Sequence, residues 1–72
     1  MIYNVTTDEG FVATYGSKDA ALNFAYEYII SAYPRSQQEK VLNQVESREY
    51  KHGIFVSGPD AVVVKITIDN IM

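Results

Sequence analysis

The residue types that could carry out chemistry are few in this sequence, and histidine comes first among them. His52 is the only histidine, and this residue type readily gains and loses a proton near neutral pH, as a general base must. No serine, threonine or cysteine adjoins it to act as a nucleophile. We therefore interpret His52 as an exposed residue near the end of a helix, where its charged form complements the negative pole of the helix dipole.

Adjacent carboxylates are the second candidate, because a pair of acids can bind a metal ion or share acid and base roles. Asp8 and Glu9 are such a pair, but with Gly10 they have the composition of a hairpin turn, where acidic residues are common. The four glycines are scattered and lack the spacing of a phosphate-binding loop. With no cysteine, neither a disulfide nor a zinc site can form. We predict no catalytic residue, no metal and no cofactor, and hence a protein that is not an enzyme.

The length of the chain sets the next constraint. At 72 residues it has room for one domain, which we predict to span residues 1–72 without a linker. A domain of this size buries a modest share of its apolar surface, and disulfides, a metal or a partner subunit usually reinforce it. Since the sequence excludes disulfides and zinc, we expect self-association.

Apolar segments are short throughout the sequence. None approaches the roughly 20 consecutive apolar residues of a membrane helix. The first residues lack the basic and apolar segments of a secretory signal. The absence of cysteine is compatible with a reducing compartment. We expect a cytoplasmic protein that does not enter a membrane.

The first half of the sequence predicts a hairpin followed by a helix. Strands over Ile2–Thr7 and Phe11–Tyr15 are rich in β-branched and aromatic residues, and Gly10 between them can adopt a positive φ. Ser17 is placed to cap a helix over Lys18–Tyr33.

This helix is apolar around more than half of its circumference. One row at helical spacing consists of Leu22, Ala25, Tyr26, Ile29 and Tyr33, and a neighbouring row consists of Ala21, Phe24, Tyr28 and Ala32. A helix on one sheet needs only a single apolar stripe, so the excess indicates a further partner. Tyrosine is enriched at protein interfaces, and the chain has six. We predict a homodimer whose contact is formed by Phe24, Tyr28, Ala32 and Tyr33.

The second half predicts another helix and another hairpin. Pro34 ends the first helix, and Ser36-Gln37-Gln38-Glu39 has the form of a capping box that begins a second. We expect this helix to end near His52, with Gly53 as its terminator. Two strands follow, at Ile54–Ser57 and Ala61–Ile68. The predicted fold is α+β with the order ββααββ, an antiparallel four-stranded sheet with two helices packed on one face.

Charge is unevenly distributed along the chain. The net charge of −3 disfavours a non-specific grip on nucleic acid. Basic residues on the second helix alternate with glutamates, which also argues against direct nucleic-acid binding. The basic residues are Arg35, Lys40, Arg48 and Lys51. Acidity is concentrated in the first half, and we predict that a partner protein binds there, at Asp8, Glu9, Asp19 and Glu27.

A short, acidic domain without motifs resembles in kind the small proteins with which bacteriophages and mobile elements bind and block a host protein. The leading hypothesis is a homodimeric protein-binding module that inhibits a host enzyme or nucleic-acid-binding protein. One alternative is a protein that imitates DNA by arraying carboxylates. Another is direct nucleic-acid binding through the face of the second helix.

Overall fold

The computed structural model describes residues 1–10 and 12–69. Its elements in chain order are β1 (Ile2–Thr6), β2 (Val12–Tyr15), α1 (Lys18–Ser31), α2 (Arg35–Leu42), β3 (Glu46–Tyr50), β4 (Gly53–Ser57) and β5 (Val63–Asp69). The strands form one antiparallel sheet of five, in the order β2-β1-β5-β4-β3. The predicted α+β class is confirmed. The predicted four strands and the order ββααββ are wrong, because β3 forms where the second helix was expected to continue.

The first hairpin, made of β1 and β2, forms where the sequence predicts it. Gly10 has a φ of 81°, and its N–H donates to the Thr7 carbonyl over 3.0 Å, so this turn uses the conformational freedom of glycine. Phe11, which is predicted to begin the second strand, lies outside the described residues.

Helix α1 begins at the predicted residue. Ser17 caps it, since the Ser17 side chain accepts the Ala20 N–H at 3.2 Å. Ala21, Ala25 and Ile29 are fully buried on the side of the helix that faces the sheet. Two of these side chains are methyl groups, so the helix axis can approach the strands closely.

The sheet buries one of its faces under α1. In β5, Val64 and Ile66 are fully buried, whereas Lys65 between them is exposed on the opposite side of the sheet. Ile66 lies between Val5 of β1 and Ile54 of β4 in the strand register. Helix α1 contacts β1, β2, β4 and β5, so these residues form the centre of the core.

The opposite side of the sheet, called the open face below, is covered by neither α1 nor α2. Its outward side chains include Asn4, Thr14, Phe55, Lys65 and Asp69. Thr14 donates to Asn4 over 3.0 Å, and Asn4 donates to Asp69 over 2.6 Å. Side-chain hydrogen bonds therefore cross β2, β1 and β5 on this face.

The second helix begins without the predicted capping box. Pro34 is the N-cap, with φ −57° and ψ 146°, and its carbonyl accepts the Gln37 N–H at 2.8 Å. The chain is already helical at Arg35, so Ser36 lacks the extended backbone that a cap requires. Ser36 and Glu39 are exposed residues within the helix.

The second helix is also much shorter than predicted. A longer helix would place Arg48 and Glu49 where its apolar stripe needs buried residues. As strand β3, the same segment instead pairs its backbone with β4, and Tyr50 stacks on Phe55 with ring centroids 4.7 Å apart. Helix α2 packs against α1, and Val41 is the residue of α2 that is buried in the core.

The residues expected at the end of that helix form a turn. Lys51 and His52 connect β3 to β4, since Tyr50 and Gly53 on either side of them are paired. Gly53 is the first residue of β4 and not a helix terminator. A Cβ at this position would collide with the backbone carbonyl of Ile66 in β5, so glycine is required for the two strands to approach.

We expect Gly53→Ala to lower the free energy of unfolding by about 3 kcal/mol, because the colliding atom belongs to the backbone of a central strand and cannot rotate away. Gly16→Ala is the matched control, since nothing lies within 4 Å of the Cβ that it adds. Its effect should stay within about 1 kcal/mol. Urea unfolding followed by circular dichroism measures both, and equal effects would contradict the close approach.

Candidate partner-binding surfaces

Two turns of the sheet bring carboxylates to the C-terminal end of α1. The β1–β2 turn carries Asp8 and Glu9, and the β4–β5 turn carries Asp60. These three exposed residues, with the exposed Glu27 of α1, are called the acidic end below. The last turn of α1 has no basic residue, so the negative pole of its dipole adds to the charge.

Asp8 is held in place by a tyrosine of α1. The Tyr28 hydroxyl donates to the Asp8 carboxylate over 2.8 Å. A hydrogen bond with the Thr7 side chain lowers the pKa of Tyr28, but the bond to Asp8 and partial desolvation outweigh it and raise that pKa above its ordinary value. The bond to Asp8 fixes the β1–β2 turn against the helix.

Asp60 is held in the same way. The Tyr33 hydroxyl donates to the Asp60 carboxylate over 2.6 Å, and this bond is the main reason that the pKa of Tyr33 is raised. The adjoining Ala61 has a φ of 61°, an uncommon conformation for a residue with a Cβ. Asp60 was not among the predicted binding residues, and no local pattern indicates it, because Tyr33 and Asp60 are 27 positions apart.

The predicted acidic residues are not all brought together. Asp8, Glu9 and Glu27 belong to the acidic end, but Asp19 lies in the first turn of α1, at the opposite end of that helix. There its carboxylate complements the positive pole of the helix dipole. Asp19 therefore belongs to a different surface from the others.

The predicted dimer residues lie at or beside the C-terminal half of α1. Phe24 is half-buried between Tyr15 of β2 and Tyr28, at centroid distances of 5.8 and 6.3 Å. Tyr33 is half-buried, and Ala32 is exposed as the C-cap of the helix. Because β2 flanks this side of α1 and α2 packs elsewhere on it, much of its wide apolar circumference is used within one chain.

His52 is exposed in the β3–β4 turn, where its ring meets that of Tyr50 edge-on, with centroids 6.3 Å apart. Within residues 1–10 and 12–69, no three histidine or acidic side chains converge as ligands for a metal ion. Neither helix in the described part of the chain has the length and apolar character needed to cross a membrane.

The basic residues expected on one helix face are divided among several elements. Arg35 and Lys40 belong to α2, whereas Arg48 belongs to β3 and Lys51 to the turn after it. On the open face, Arg48 and Lys65 flank Phe55 in the register of β3, β4 and β5. The sequence pattern does not predict this row, because it places Arg48 in a helix.

A cleft of about 650 Å³ follows the free edge of β3 near the start of the strand. It is lined on the helix side by Tyr26 and Val45, and on the open face by Arg48, Phe55 and Ser57. The cleft therefore extends around the edge of the sheet, on both faces of the edge strand β3.

The far end of the same edge is held to α1 by an ion pair. The Lys18 ammonium donates to the Glu49 carboxylate, and this hydrogen bond, followed by the charge, lowers the pKa of Glu49 and raises that of Lys18. Both side chains are exposed, so the pair orients β3 more than it stabilises the fold.

No protein-family model, no curated protein and no solved structure matches this chain. The surfaces described above therefore carry the functional inference.

The bond from Tyr33 to Asp60 predicts a pH dependence of stability. A phenol whose pKa is raised on folding contributes stability below its unfolded pKa of about 10. That contribution is lost as the pH rises through the higher pKa of the folded state. We expect NMR titration of the tyrosine rings to show that Asp60→Asn lowers the pKa of Tyr33. The control Asp19→Asn, which removes a charge from the other end of α1, should leave it unchanged; a Tyr33 pKa indifferent to Asp60→Asn would contradict the bond.

Proposed function

We propose that this chain is a non-enzymatic protein-binding module, which acts as a homodimer and inhibits a host enzyme or nucleic-acid-binding protein through its acidic end. The observation that carries the proposal is the pair of hydrogen bonds by which Tyr28 and Tyr33 hold Asp8 and Asp60. Side chains that are fixed before binding lose less conformational freedom when the complex forms. A surface of this kind is suited to recognition.

The negative charge of the acidic end favours a partner protein with a basic surface. The carboxylates of the acidic end lie beside the negative pole of α1, and the whole chain has a net charge of −3. Complementary charges across an interface accelerate association and select against wrong partners. Lysine and arginine side chains at the active site or nucleic-acid-binding site of a host protein would provide that complement.

Imitation of DNA is one form of the same proposal. In that form the carboxylates occupy the positions of phosphates in a basic site. Binding would then weaken steeply as salt screens the charges, whereas a contact dominated by buried apolar area would respond less. Measuring the affinity for the partner across a range of salt concentrations separates the two forms.

We expect an exposed pair of substitutions, Glu9→Gln with Glu27→Gln, to weaken binding to the host partner about tenfold, which corresponds to roughly 1.4 kcal/mol. Neither residue makes one of the tyrosine hydrogen bonds, so the fold should be retained. Affinity capture from host extract followed by mass spectrometry identifies the partner, and calorimetry with the purified partner gives the affinity.

The matched control is Asp19→Asn with Glu39→Gln, which removes the same two charges away from the acidic end. It should bind like the unmodified chain. If both pairs of substitutions reduced the affinity equally, net charge would be responsible and the assignment to the acidic end would be wrong.

A second candidate function is favoured by the row of Arg48, Phe55 and Lys65 on the open face. Aromatic rings stack on unpaired bases and neighbouring cations contact phosphates, so such a row suits single-stranded nucleic acid. Phe55 is 39% exposed, which leaves part of its ring accessible. The excess of carboxylates elsewhere on the chain makes this candidate secondary to protein binding.

Fluorescence anisotropy with a labelled single-stranded oligonucleotide at low salt tests the second candidate. If the open face binds nucleic acid, Lys65→Gln should weaken binding several-fold, because it removes one phosphate contact. Lys40→Gln on α2 should have a smaller effect. The absence of any binding at low salt would eliminate this function.

A further inference from the structure

Among residues 1–10 and 12–69, no strand pairs with the outer edge of β3. Tyr50 and Gly53 flank a turn of two residues and are paired, and the residue that closes such a hairpin forms a hydrogen-bonded pair. Hydrogen-bonded pairs alternate along an antiparallel ladder, so Arg48 also directs its backbone groups toward β4. Ser47 and Glu49 direct theirs outward, to a free edge.

We propose that β3 pairs with β3 of a second copy of this chain, antiparallel, with Ser47 on the twofold axis. The two sheets then form one continuous sheet of ten strands. This inference rests on the proposed homodimer and assigns its interface to β3 in place of α1.

The charges of β3 select this register. A twofold axis normal to the sheet passes through one residue of the strand and pairs residues at equal distances from it. With the axis at Ser47, Glu46 of each copy lies opposite the partner's Arg48, which forms two pairs of opposite charge on the open face. Opposite charges in directly facing positions stabilise an antiparallel pair of strands.

Neighbouring registers place like charges together. An axis at Glu46, Arg48 or Glu49 would set that residue opposite its own copy, and like charges directly opposite destabilise strand pairing. Charged residues usually protect an edge strand from association. In β3 they disfavour the registers centred on Glu46, Arg48 and Glu49, and they favour the one centred on Ser47.

The cleft along β3 has room for an added strand. Its lining comes from both sides of the sheet around Glu46 and Ser47, which is the space that a strand about 4.8 Å farther along the sheet would enter. Val45 and Tyr26, which line the cleft on the helix side, would then lie beside the added strand. Glu49 already has Lys18 as its ion-pair partner, so it does not bring an uncompensated charge into the interface.

The other edge of the sheet is less suited to a defined dimer. Strand β2 has four residues and no charged side chain, so nothing in it selects a single register. The α1 residues Phe24 and Tyr28 beside it are half-buried and engaged with Tyr15 and Asp8.

A charge swap tests the register. Arg48→Glu creates two facing glutamate pairs and should raise the dimer dissociation constant about tenfold or more, and Glu46→Arg should do the same with facing arginines. Combining both substitutions restores opposite charges, and the dissociation constant should return to within about threefold of the original. Sedimentation equilibrium at low salt gives these values, and circular dichroism checks that each variant is folded.

Single cysteines give an independent reading, because the chain has none of its own. Under mild oxidation Ser47→Cys should cross-link, since residues facing each other in a hydrogen-bonded pair have Cα atoms about 5.5 Å apart. Thr14→Cys on β2 and Ala32→Cys at the end of α1 report the two other interfaces. Both should remain uncross-linked.

The outcomes of these experiments distinguish the proposed homodimer from the proposed pairing of β3 strands. A chain that is monomeric at all concentrations overturns the homodimer and the β3 pairing together. A dimer that cross-links through Ala32→Cys or Thr14→Cys, and in which the double charge swap fails to restore association, overturns the β3 pairing alone and leaves the homodimer standing.

Discussion

Strand β5 is the element on which the rest of the structure depends, because it pairs with β1 on one side and β4 on the other. Without it the two hairpins would be separate, and an isolated hairpin is marginally stable in water. Ile66 lies between Val5 and Ile54 in register, and all three are covered by α1. The same closeness requires glycine at position 53, where β4 passes the backbone of Ile66.

The parts of the fold that local patterns determine could be predicted from the sequence. Apolar residues at alternate positions identify β5, and Ser17 marks the start of α1 by a hydrogen bond within four residues. Strand β3 could not be predicted in this way. Its sequence, Glu46–Tyr50, has no apolar alternation, since its side chains are mostly exposed on both faces, and its conformation comes from backbone pairing with β4. Helical capping signals upstream then favoured the wrong extension of α2.

The residues of the candidate site could be predicted from the sequence in part, but their contacts could not. Asp8, Glu9 and Glu27 stand out as carboxylates in the sequence. Nothing local shows that Asp8 contacts a tyrosine of α1, or that Asp60 contacts the tyrosine just after that helix. Those contacts arise because antiparallel strands return both turns to the same end of the sheet. The wide apolar circumference of α1 was real, but a single chain accounts for much of it through Tyr15 and α2. The predicted dimer contact on α1 rests on the number of apolar positions, and the sequence could not show that neighbours in the same chain cover part of them.

The direction of β3 links the two proposals. A twofold axis through Ser47, normal to the sheet, reverses the direction of every strand between the copies. The acidic end lies at one end of the strands. The two acidic ends of such a dimer therefore lie at opposite edges of the joined sheet, measured along the strand direction. They could not converge on one basic site. Each copy would bind its own partner, so a dimer formed through β3 implies complexes of two copies with two partners, whereas a contact through α1 does not carry this constraint.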